Sequence, residues 1–110
     1  MALCKDDLRS YASAVALLAV HSAISYNDAL LVKLRGRRPR SQDHAEAIAA
    51  IRKACGEARI DPKGVVYLTK LLTVKTDVSY GDRMVDNDKA EALRFLAERF
   101  QAWAERLLRR

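Results

Sequence analysis

Glycine and proline are scarce in this 110-residue chain, four of one and two of the other. A β-sandwich or barrel needs turn residues every eight to twelve positions or so, and so few breakers argue against one. Cysteine is limited to Cys4 and Cys55. Two thiols cannot form a disulfide scaffold, which points to a reducing interior and a cytoplasmic location. Neither C-x2-C nor H-x3-H spacing occurs, so no zinc site is expected. A glycine-rich phosphate loop and a G-x-S-x-G nucleophile elbow are also missing, and no cofactor is implied. The opening stretch, MALCKDDLRS, carries charges where a signal peptide would carry an apolar region. The longest apolar run, Ala12 to Ile24, contains Ser13, His21 and Ser22 and is shorter than a bilayer span requires, so no membrane partner is expected.

What the chain does have is 50% hydrophobic and 31% charged residues, enough apolar material for one domain, spanning 1–110, with one modest core and too much for a disordered chain. Its formal charge is +6, which permits an anionic partner. Much of the excess lies in one cluster, Lys33, Arg35, Arg37, Arg38 and Arg40, with no acid between them. Gly36 and Pro39 fall inside the cluster, which therefore reads as a basic loop following a helix. The cluster holds no aromatic residue for base stacking. It would grip a phosphate backbone, with weak sequence preference.

Four helical segments can be drawn. The first runs from Lys5 or Ser10 to Leu34, with one apolar stripe at Tyr11, Val15, Leu18 and Ser22 and a second at Leu17, Val20, Ile24 and Leu31. Two stripes predict a central helix packed on more than one side. His21, among apolar neighbours, is expected to be a half-buried structural histidine. The second segment follows Pro39 with Ser41 as N-cap and Gln42, Asp43 and His44 in the first turn. Its predicted apolar face is Ala45, Ile48, Ala49, Ile51 or the stem of Arg52, and Cys55, and Gly56 is its natural stop. The third opens at Asp61-Pro62 and buries Val65, Leu68, Leu71, Leu72 and Val74; the 65, 68, 72 spacing favours helix over strand despite the valines. Gly64 weakens its first turn, and Ser79-Tyr80-Gly81-Asp82 ends it. The fourth begins near Asp86–Asp88, and Leu93, Leu96, Phe100, Trp103 and Leu107 step by three and four along a bundle seam. Together these predict an all-α antiparallel bundle of about four helices. An apolar stripe left over on a small bundle favours a homodimer.

The Ala-rich helix Tyr11–Ile24, the early histidine of Ser41-Gln42-Asp43-His44, the stretch Leu71–Asp82 and the helix Lys89–Phe100 come in an order that resembles the HEPN domains of prokaryotic toxin and defence systems. The resemblance covers about Tyr11 to Leu108 and is most specific over Lys75–Phe100. It implies a four-helix bundle, commonly dimeric. Catalytic members resemble metal-independent ribonucleases whose Arg-x4-His type motif meets its copy at the dimer interface. Arginine there holds the scissile phosphate and histidine moves protons near pH 7. Lys75 stands in the arginine position and Tyr80 in the histidine position. A tyrosine titrating near 10 is a poor base at neutral pH.

The resemblance thus implies a non-catalytic protein of a defence, toxin–antitoxin or stress system that binds RNA, or a partner such as a nucleotidyltransferase or other antitoxin. Lys75, Asp77 and Tyr80 would mark the ancestral site, and Lys33, Arg35, Arg37, Arg38 and Arg40 the nucleic-acid surface. The alternative is a metal-independent endoribonuclease in which Lys75 holds phosphate and His44 or Asp77 supplies proton transfer.

Overall fold

The computed structural model describes residues 5–36, 44–80 and 87–109, with side chains over 11–36, 45–73 and 88–109. Among the described residues the elements are four helices and no strand: α1 (Lys5–Arg35), α2 (His44–Glu57), α3 (Val65–Tyr80) and α4 (Asn87–Leu108). The valines of α3 are helical, as the three–four spacing requires. Ser79 and Tyr80, expected in a loop, continue that helix.

Two contacts set α1 against α4. The Tyr26 hydroxyl donates to Glu105, and the Lys33 ammonium reaches the carbonyls of Leu107 and Leu108. Partner numbers rise together, so α1 and α4 run parallel. Gly64, just before α3, lies on Trp103 near the end of α4. Only six residues join α3 to α4, so these two are antiparallel. The expected antiparallel bundle is therefore broken at its largest helix pair. The reason is length. At 1.5 Å per residue α1 is about 46 Å long and α2 about 21 Å, so α2 cannot carry the chain back along α1. The chain enters α3 at the end where α1 stops, descends, and rises again as α4. Among the described residues α2 touches α1 and α3 but not α4. The molecule measures 50 × 26 × 20 Å, elongated along α1.

The buried face of α1 is Ala12, Ala16, Ala19, Val20, Ala23, Leu30 and Leu31. This corrects the predicted stripes: Tyr11, Leu17 and Leu18 are exposed, and His21 is exposed rather than half-buried. Alanines supply most of the first half of this face, and Leu30 and Leu31 fill its C-terminal end. On α2, Ile51, Ala54 and Cys55 are buried, whereas Ala45 and Ala49 face solvent. Burial alone raises the Cys55 thiol pKa. The seam of α4 forms as expected, with Leu96 half-buried and Ala90, Ala97 and Ala104 added to it. Phe100 and Trp103 pack with tilted rings 5.7 Å apart.

The helix that carries the apolar run Ala12–Ile24 continues to Arg35. By length and composition alone Tyr11–Arg35 could cross a membrane; 39% of its most apolar window is buried within the bundle.

Helix ends follow local chemistry with one exception. Gly36 takes a positive φ of 78° and donates to the Val32 carbonyl, closing α1. In α2 the left-handed position falls on Arg59 (φ 59°), not on Gly56. Ile60 N–H bonds the Cys55 carbonyl and Arg59 N–H that of Gly56, a Schellman closure with Ile60 packed on the core. Gly56 is thus inside the helix, with open space where a Cβ would stand. Gly64 precedes α3 rather than weakening its first turn, and a Cβ there would overlap the Trp103 indole.

The two glycines therefore predict opposite signs for one chemical change. Gly56→Ala should stabilise by about 0.5–1 kcal/mol. Gly64→Ala should destabilise by about 1–3 kcal/mol through overpacking. Denaturant midpoints at constant slope would check both. Asn27, 3% exposed, leaves its Oδ1 buried without a partner among the described residues. Asn27→Leu should therefore raise stability by about 1–2 kcal/mol, since it removes an unpaired buried oxygen; a fall would mean that an internal water holds that atom.

Candidate nucleic-acid interface

Parallel packing places the C-termini of α1 and α4 at the same end of the molecule. Lys33 and Arg35 close one helix; Arg106 and Arg109 close the other. Positive charge at these ends is locally favourable, because each C-terminus carries about half a negative charge from its unpaired carbonyls. Lys33 meets this need directly, bonding the Leu107 and Leu108 carbonyls at 2.9 and 2.8 Å. Its charge is thus applied to the end of α4 from the neighbouring helix. Arg106 Nε donates to the Ala102 carbonyl at 3.3 Å, and Arg109 lies 3.8 Å from Glu105. Arg35 is exposed at the last position of α1.

Glu105 ties parts of this end together. It accepts from the Tyr26 hydroxyl at 2.8 Å and the Gln101 amide at 3.1 Å. The Tyr26 bond, then the Gln101 bond, hold its carboxyl below the usual carboxylate range, with help from Arg109. The same Glu105 bond pushes the Tyr26 phenol upward, because a carboxylate favours the protonated donor.

The five-residue basic cluster is divided by the structure. Lys33 and Arg35 belong to this end, whereas Arg37, Arg38 and Arg40 lie outside the described residues, in the segment that leaves it. The contribution of α4, Arg106 and Arg109, was absent from the sequence-based site. Its signal was present as a basic last turn, but only the parallel pairing joins it to α1.

Lys75, Asp77 and Tyr80 lie on the helical backbone of α3, and their side chains are outside the described residues. At 100° per residue, positions 75 and 77 are about 160° apart around the helix, and 75 and 80 about 140°. One copy of the helix does not gather the three positions on one face. His44 begins α2, and its side chain is likewise outside the described residues. Among the described residues no group of three or more His, Cys, Asp or Glu is placed to hold a metal ion.

The chain matches no family model, no curated protein and no solved structure.

The Tyr26–Glu105 bond predicts a stability difference confined to a pH window. Glu105 has a lowered folded pKa, so its stabilising effect is present above the ordinary carboxylate value of about 4.3 and is lost as pH falls through the folded one. Tyr26 has a raised pKa, so its effect is present below about 10 and is lost as pH rises through the folded value. The gap in urea midpoint between wild type and Tyr26→Phe should be widest between these limits and narrow at both. A pH-independent gap would show that the hydroxyl acts through packing alone.

Proposed function

We propose that this chain is a small, non-catalytic, HEPN-like helical protein that binds RNA through its backbone phosphates. The observation that carries the proposal is the merging of two basic helix ends. Lys33 reaches the end of α4 from α1, Arg35 ends α1, Arg106 and Arg109 lie at the end of α4, and Glu105 sits between Tyr26 and Arg109. Two helix C-termini offset about one unit of positive charge and Glu105 another, so roughly two units of these four remain before Arg37, Arg38 and Arg40 are counted. Such a surplus suits a polyanion, and the absence of an aromatic residue within the basic cluster suits binding with little sequence preference.

On the sequence resemblance, the proposed setting is a prokaryotic defence, toxin–antitoxin or stress system in the cytoplasm. Tyr80 in place of a histidine supports binding without cleavage, since a phenol is almost wholly protonated at pH 7.

Retention of single-stranded RNA should weaken steeply with salt, with a slope of log affinity on log salt near −0.7 per phosphate contacted. Replacing Arg35, Arg37, Arg38 and Arg40 with Gln should flatten that slope by about 3 and affect unrelated RNA sequences equally. Lys33 is left intact in this variant because it closes α4. No retention by the folded wild type at low salt would sink the proposal. Cleavage that survives EDTA and vanishes in Lys75→Ala would instead establish a ribonuclease.

A further inference from the structure

The exposed side of α4 changes character along its length. In the first half, charges are paired: Arg94 takes Glu91 at 3.7 Å and Glu98 at 3.1 Å. A second row lies beside this group. At about 100° per residue, positions 95, 99, 102, 106 and 109 fall within about 80° of one another around the helix. Phe95, Arg99, Ala102, Arg106 and Arg109 are all exposed. No acid stands three or four positions from Arg99 or Arg106, the spacing at which helix neighbours neutralise a charge. The row therefore leads from the basic end of the molecule, at Arg109, back along the helix to an aromatic ring, a span of about 21 Å.

Phe95 is the unusual member. It is 52% exposed on a face whose other exposed residues are charged or alanine. The remaining aromatic residues of α4, Phe100 and Trp103, are buried. The Arg99 guanidinium carbon lies 5.1 Å from the centre of the Phe95 ring, within cation–π range. That contact orders the ring on the helix surface while half of the residue stays open to solvent.

We propose that Phe95 is a stacking platform for an unpaired base, so that the RNA held at the basic end is single-stranded and runs along this row of α4. The proposal rests on the reading of that end as a phosphate contact and specifies its substrate class. Arg109, Arg106 and Arg99 meet successive phosphates, Ala102 lets the strand lie close to the helix, and a base stacks on the ring that Arg99 has ordered. A cationic track with an aromatic ring holds single strands with little sequence preference, because every base has a π face. A planar guanidinium suits Arg99 to both tasks, since it bonds phosphate and also packs on an aromatic ring. An A-form duplex offers no such base. Its bases are stacked on one another, and it meets the arginines through phosphate alone.

The test compares the full chain, at low salt, on an oligouridine of about 12 nucleotides and on an RNA duplex of the same length. Phe95→Ala should weaken oligouridine binding by about tenfold. It should leave the salt slope unchanged, because no cation is lost, and leave the duplex unaffected. Phe95→Leu should behave like Phe95→Ala, and Phe95→Tyr like the wild type; full binding by Phe95→Leu would show an apolar contact and overturn the stacking role. Arg99→Gln should flatten the slope by about 0.7. Phe95→Trp reads the contact directly. Its exposed indole should be quenched by oligouridine and not by the duplex, whereas the wild type, whose single tryptophan is the buried Trp103, should show little quenching. Duplex bound as tightly as the single strand, with Phe95→Ala unchanged, would overturn the proposal and leave the phosphate contact standing. Failure of the folded wild type to bind either RNA would overturn both.

Discussion

The contact on which the rest of the structure depends is the parallel packing of α1 along α4. Both helices bring alanines to the core, Ala12, Ala16, Ala19 and Ala23 from one and Ala90, Ala97 and Ala104 from the other. Alanine carries no side-chain entropy to lose and lets two backbones come close, so dispersion contacts run the length of the pair. The bulk of the core is then supplied by larger residues, Leu93, Phe100 and Trp103 from α4 and Leu68 and Leu71 from α3. Gly64 belongs to the same arrangement. The indole of Trp103 occupies the space where a side chain at position 64 would stand, and α3 starts directly after it.

Parallel packing has an electrostatic cost that an antiparallel bundle avoids, since two helix dipoles of the same sense lie side by side. The sequence offsets it with cations at the shared C-terminal end. Lys33 is the clearest case, because its ammonium sits on the carbonyls of the neighbouring helix rather than its own. Part of the basic character of this end is therefore structural. The remainder exceeds what two dipoles and one carboxylate neutralise. That excess, rather than the net charge of the chain, is the physical content of the proposed RNA contact.

Local signals in the sequence were read correctly where local energetics decide. The three–four seam of α4, the helical spacing of Val65, Leu68 and Leu72, and the glycine stop after Arg35 all appear in the structure. What was not legible is non-local. Nothing within α1 says that Leu30 and Leu31 face inward while Leu17 and Leu18 face outward; the answer depends on where α4 packs. Orientation of α1 against α4 follows from the shortness of α2 compared with α1, a relation between segments. Gly56 attracted the helix stop because glycine favours a left-handed φ, yet Ile60 must reach the core, and that places the left-handed residue at Arg59. The basic cluster was visible as a run of letters, but its extension by Arg106 and Arg109 required the fold. For Lys75, Asp77 and Tyr80 the structure adds only their helical register, which spreads them around α3.

The outer face of α1 completes the energetic argument. Burying a leucine or valine side chain is worth about 1.5–3 kcal/mol. Leaving Leu17, Leu18 and Val32 largely in water therefore forgoes several kcal/mol, a sizeable part of the 5–15 kcal/mol or so by which a domain of this size is stable. Charged residues at those positions would cost the monomer nothing and would aid solubility, as they do on α4.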